Sequence, residues 1–114
     1  MFGRRSNIKN FVHNLIEKYG TNSPFELCKK LNINILFVDL PDNVNGFFLN
    51  SQVKSSILIK TLSPAQKEKV CAHELAHALL HSRVNSAVFE DTNPKYIESL
   101  EEEANNFSKL LLQK

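Results

Sequence analysis

Residues 63–81 read SPAQKEKVCAHELAHALLH, and this stretch decides how the rest of the chain is organised. Ser63 is suited to an N-cap and Pro64 to a first helical turn. Gln66 stands three residues after Ser63, where a capping box needs it. The helix so opened is predicted to run to about His81. Ala72, Leu75, Ala76 and Leu79 recur at helical spacing and form a side that can pack on a core. His73 and His77 are four residues apart, one turn above each other on one face. Two imidazole nitrogens so placed can meet one Zn²⁺ at about 2.0–2.1 Å each. Glu74 borders the same face, within reach of a water on such a metal. Zinc lowers the pKa of that water towards about 7, and a carboxylate beside it can take the proton as the water attacks a carbonyl. The apolar flanks make this a buried helix, where two unpaired histidines and a glutamate would be costly without a partner.

Towards the C-terminus, Ser82 to Asn93 is rich in Ser, Asn and Thr and reads as a loop. Pro94 starts a last helix, Lys95 to about Leu112, whose core face runs through Leu100, Ala104, Phe107 and Leu111. A catalytic zinc keeps three protein ligands and an open position, so a third ligand is needed. His81 lies two turns beyond His73, about 12 Å along the helix at 1.5 Å per residue. It is expected to face the C-terminal end of the helix dipole instead. His13 falls on the polar side of the first helix and is expected to be solvated. Carboxylates remain. Glu101 borders the core face three residues before Ala104, Glu102 aligns with Asn106 and Lys109 and reads as exposed, and Glu103 lies on the other border. Glu101 is the leading third-ligand candidate, with Glu98 and Glu103 as alternatives. Asn105, one turn after Glu101, is placed to orient a ligand histidine. Tyr96 is either a donor to a developing oxyanion or a packing residue.

Towards the N-terminus, Ile8, Phe11, Val12, Leu15, Ile16 and Tyr19 recur at helical spacing, and Gly20 closes that helix. Ser23-Pro24 opens a second, short helix, with Glu26 at the capping-box position. Ile33 to Leu40, Val44 to Leu49 and Ser56 to Lys60 read as strands, the last two forming a hairpin around Asn50-Ser51-Gln52. Gly46 is expected to mark a bend or bulge. The order helix, helix, strands, helix, helix predicts an α+β fold with helices packed on a small sheet of about three strands.

The chain has 114 residues, enough for one compact domain spanning residues 1–114 and too few for two. Its formal net charge of +2 is too weak to argue for nucleic-acid or membrane binding, and the cations are scattered. No apolar run approaches the length of a membrane span, and no apolar stretch follows Arg4-Arg5 to make a secretory signal. The two cysteines, Cys28 and Cys71, do not make a disulfide framework. They are expected to be reduced, buried thiols of a cytoplasmic protein.

The stretch His73-Glu74-Leu75-Ala76-His77-Ala78-Leu79-Leu80-His81, followed by Glu101-x-Glu103-Ala104-Asn105-x-Phe107, resembles the ImmA/IrrE family of metallopeptidases. The resemblance is sharp over residues 70–111. It implies a small zincin-like domain with one Zn²⁺ per chain held by His73, His77 and Glu101, and Glu74 as the catalytic glutamate. It also implies an intracellular bacterial or phage-encoded protein that cleaves a helix-turn-helix repressor and so derepresses genes. Ser108 departs from the alanine usual in the family after Phe107, and Leu110-Leu111-Leu112-Gln113 departs from its Leu-Leu-x-Pro ending. The alternative expectation is a zinc-stabilised binding module that antagonises a repressor by contact alone. A strand edge at Ser56–Lys60 is the expected docking place for an extended substrate.

Overall fold

The computed structural model describes residues 5–51, 53–81 and 94–113, the side chains of residues 5, 6, 94 and 96 excepted. The loop expected at Ser82–Asn93 and the side chain of Tyr96 therefore lie outside the described residues. The elements are α1 (Arg5–Tyr19), α2 (Pro24–Lys30), β1 (Ile33–Val38), β2 (Gly46–Asn50), β3 (Ser55–Lys60), α3 (Pro64–Leu80) and α4 (Pro94–Leu111). Four helices pack on a three-stranded sheet in a small α+β, zincin-like domain.

The helices begin and end where local chemistry sets them. Gly20 ends α1 at φ +71°, its N–H bonded to the Ile16 carbonyl, a left-handed turn that glycine adopts without a Cβ clash. Ser23 caps α2 by accepting from the Glu26 N–H. The Ser23 N–H turns to Thr21 Oγ1, so only the serine half of the expected capping box is seen there. At α3 the box is complete. Ser63 accepts from the Gln66 N–H, and Gln66 Oε1 accepts from the Ser63 N–H.

The sheet order is β1-β3-β2, with β3 parallel to β1 and antiparallel to β2. This corrects one expectation. The Ser55–Lys60 strand is central, its hydrogen-bonding groups are used by both neighbours, and it offers no edge for a substrate. The edges are β1 and β2. On the inner face, Ile57 and Phe48 are buried opposite each other, and Ile35 joins them from β1. Helix α3 lies across β2 and β3 and packs on α4, and α1 covers α4 from the other side. There the ring of Phe11 is tilted against that of Phe107 at 6.2 Å. Cys28 and Cys71 are free and fully buried, their sulfurs 3.9 Å apart, as two small apolar groups joining α2 to α3.

Gly46 is not a bend. It opens β2 where the strand passes α3, and a Cβ there would stand 2.5 Å from Val70 Cγ1 and 2.9 Å from the Leu58 carbonyl oxygen. Only a residue without a side chain lets β2 approach α3 so closely, and that approach forms one wall of the site.

Candidate metal centre

Helix α3 turns its second half into the protein. Cys71, Ala72, Leu75 and Ala76 face the core, while His77 is 2% and Glu74 6% exposed. A helix apolar on one side and hydrated on the other would leave both polar groups in water. Here the cover of β2 and α4 removes them from it, and each needs a partner.

The partner comes from α4. Because Leu100, Ala104, Phe107 and Leu111 are all buried, the helix is fixed in rotation, and Glu101 points to α3. Its Oε1 lies 2.9 Å from His73 Nε2 and its Oε2 3.1 Å from His77 Nε2. The two imidazoles meet edge to face with centroids 4.9 Å apart. Ligand atoms of all three residues lie within 4.8 Å of one another. A tetrahedral ion with bonds of about 2.0–2.1 Å holds its ligand atoms roughly 3.3 Å apart, close to the spacing found. Two imidazole nitrogens and a carboxylate oxygen make a donor set that suits such an ion.

The electrostatics agree. Burial alone would lower the pKa of His73. Its hydrogen bond to Glu101, the charges of Glu74 and Glu101 and a hydrogen bond with Asn105 outweigh burial and raise it. Glu101 is held well below the usual carboxylate range by its hydrogen bonds to His73 and His77. Glu74 moves the other way. Burial pushes its carboxyl up, against the pull of both histidines and of a hydrogen bond from the Phe48 backbone. Its Oε1 is buried with no hydrogen-bond partner. A buried, orphaned carboxylate oxygen beside a His-His-Glu cluster fits a site that takes a cation and a water.

These residues open into a cleft of about 550 Å³. Asn43 to Gly46 form one wall, His73, Glu74 and His77 another, and Glu101, Asn105 and Ser108 a third. Of the sequence-derived candidates, His73, His77, Glu74, Glu101 and Asn105 come together here. Glu98 and Glu102 are exposed on α4, and His13 is exposed beside Glu17.

His81 departs from its expected place. Its backbone N–H caps α3 on the His77 carbonyl, but its side chain turns inward. Nδ1 lies 3.2 Å from His77 Nδ1, and Nε2 lies 2.7 Å from Glu103 Oε1. Glu103, an alternative third ligand, is thus committed to His81. The sequence carried the signal: His81 is four residues after His77 and shares its face. The β2 wall was missed, since no local pattern shows which strand will lie beside a helix.

Comparison with known proteins agrees with this geometry. The model of a peptidase family described as the IrrE N-terminal-like domain matches residues 28–113. Uncharacterized immunity region protein 2 of Bacillus phage phi105 is 37% identical over 106 residues, which cover 92% of this chain and 67% of the phage protein. Metallopeptidase ImmA of Bacillus subtilis strain 168 is 32% identical over 106 residues, covering 92% of this chain and 62% of that protein. The chain spans about two thirds of the length of these relatives.

Proposed function

Because the chain belongs to the IrrE N-terminal-like (ImmA/IrrE) family of metallopeptidases, we propose that it is a zinc-dependent endopeptidase acting on a peptide bond of a partner protein in the cytoplasm. The observation that carries this reading is the Glu74 carboxylate, buried and orphaned at Oε1, on the rim of the His73, His77 and Glu101 cluster. A structural metal site is closed and needs no acid or base beside an open position. Here Glu74 keeps one buried carboxylate oxygen without a partner beside the cluster.

His73, His77 and Glu101 would hold the ion. Bound zinc supplies Lewis acidity towards a water and towards the substrate carbonyl. Glu74 takes the proton of the attacking water at its free oxygen, helped by the upward push that burial gives its pKa, and returns it to the departing amine. Asn105 steadies the ring of His73. An extended substrate segment lies in the cleft beside Asn43 to Gly46, where the edge strand β2 begins, and pairs with that edge by main-chain hydrogen bonds. Such a substrate is a loop or linker, since a folded helix or a paired strand has no free backbone groups to offer. The family resemblance of the sequence points to a helix-turn-helix repressor as the partner, and the likeness to a phage immunity region protein fits a role in the regulation of phages or mobile elements.

The test begins with metal. Purified protein should hold about one zinc per chain, and His73→Ala and Glu101→Ala should hold less. The zinc-loaded protein is then incubated with helix-turn-helix repressors, and shortened products are sought by mass spectrometry. Glu74→Gln should keep its zinc and lose about 10²–10⁴-fold in cleavage rate. Normal cleavage by Glu74→Gln would overturn the mechanism. A repressor that is bound and stays intact would instead identify a binding module.

A further inference from the structure

The inward-turned His81 and its carboxylate partner lie behind the site, away from the cleft. The side chains of His81 and Glu103 are only 7% and 17% exposed. Their hydrogen-bond roles are decided by one requirement. If His77 gives the lone pair of Nε2 to the ion, its ring proton sits on Nδ1, and that N–H needs an acceptor. The atom it meets is His81 Nδ1, at 3.2 Å. A neutral imidazole that accepts at Nδ1 carries its own proton on Nε2. That nitrogen meets Glu103 Oε1 at 2.7 Å, and an ionised carboxylate only accepts. Every donor in the row thus finds an acceptor, in one direction only.

We infer that Glu103 and His81 are positioning residues, a hydrogen-bonded row that fixes the His77 ring with its proton on Nδ1 and its Nε2 lone pair towards the metal position. The inference rests on the reading of His77 as a metal ligand. It assigns to α4 a second contribution besides Glu101. The carboxylate two residues further on reaches the same ion indirectly, through two imidazoles. The geometry supports it over simple packing, because a buried histidine pair with no tautomer preference would not need a carboxylate at its far end. A half-buried Glu103 carboxylate would be costly without the His81 donor.

The row is tested by zinc affinity and by nitrogen-15 NMR of the imidazoles, at about pH 8, above the ordinary histidine range. The zinc-loaded parent should show His81 protonated on Nε2 and His77 protonated on Nδ1. His81→Leu, which has no acceptor, should bind zinc about 10- to 100-fold more weakly. His81→Asn, whose amide oxygen can stand near the place of Nδ1, should recover much of that loss. Glu103→Ala should weaken binding, and Glu103→Gln, which keeps an acceptor oxygen, should restore it. A general loss of fold would not follow this pattern of rescue, and thermal unfolding of the metal-free variants checks for it. His81 protonated on Nδ1 in the zinc-loaded protein, or His81→Leu and Glu103→Ala both binding zinc as tightly as the parent, would overturn the inference alone. A parent that takes up no zinc would overturn the ligand reading of His77 and the inference with it.

Discussion

Two stripes run side by side along α4. One is Leu100, Ala104, Phe107 and Leu111. The other is Glu101, Asn105 and Ser108, the same spacing displaced by one residue. The first stripe is buried throughout, while the second faces the cleft, with Glu101 still 39% exposed in its contacts with the histidines. The apolar stripe finds its place by excluding water, and any well-shaped neighbour satisfies it. The polar stripe is satisfied only by particular atoms at particular distances. The difference teaches that the apolar stripe sets the rotation of the helix, and the polar stripe uses that rotation. Glu101 reaches His73 and His77 because Phe107 and Ala104 have already settled which way it points.

Truncating the apolar stripe is expected to have the largest effect on stability. Phe107→Ala removes a fully buried ring that packs on Phe11. It should cost about 3–5 kcal/mol, read as a lower denaturant midpoint at unchanged slope. A cost below about 1 kcal/mol would mean that the stripe does not hold α4, and the comparison would break. The polar stripe should respond next, to metal. Zinc at 100 times its dissociation constant should stabilise the fold by about 2.7 kcal/mol, read as a rise in thermal midpoint that Glu101→Ala abolishes. No rise in the parent would leave the polar stripe without a ligand.

The smallest effect is expected from pH in the metal-free protein, and it is best read as the stability difference between the parent and Glu101→Gln. The pKa of Glu101 is depressed. Its contribution is therefore present above the ordinary carboxylate value of 4.5 and is lost as pH falls below it. The pKa of His73 is raised above 6.5. Its contribution is complete below 6.5 and disappears as pH rises through the higher folded value. The difference between the two proteins should be largest between those limits and shrink on both sides, modestly because Glu101 is partly solvated. A difference that did not change with pH would show that the contact is not ionic.

Much of this was legible in the sequence, and the unread part has a common cause. The helices and the pairing of His73 with His77 follow from local period and capping, which the residues themselves carry. The Glu101 side of the site was legible as far as helical geometry goes, since the carboxylate borders the core face of its own helix. Helical geometry alone left Glu103 as an alternative, the family resemblance favoured Glu101, and the packing of α4 on α3 puts Glu101 against His73 and His77 and Glu103 against His81. The central position of β3 was misread because strand order is a long-range property. Gly46 was singled out correctly and explained wrongly, since a glycine that allows close approach looks the same in sequence as one that bends.

The strand order β1-β3-β2 also imposes a timetable on synthesis. The first two strands leave the ribosome with no partner in each other, and the sheet can close only when β3 follows them. The helix with the two histidines comes directly after, yet its carboxylate lies beyond a long connection, on α4. At 5–20 residues per second, roughly 1–5 s separate the emergence of His77 from that of Glu101. For that interval the chain carries His73 and His77 without the carboxylate that meets them in the folded domain. If the site takes zinc as proposed, the histidines alone offer only two of its three protein ligands, and tight loading would wait for the docking of the last helix.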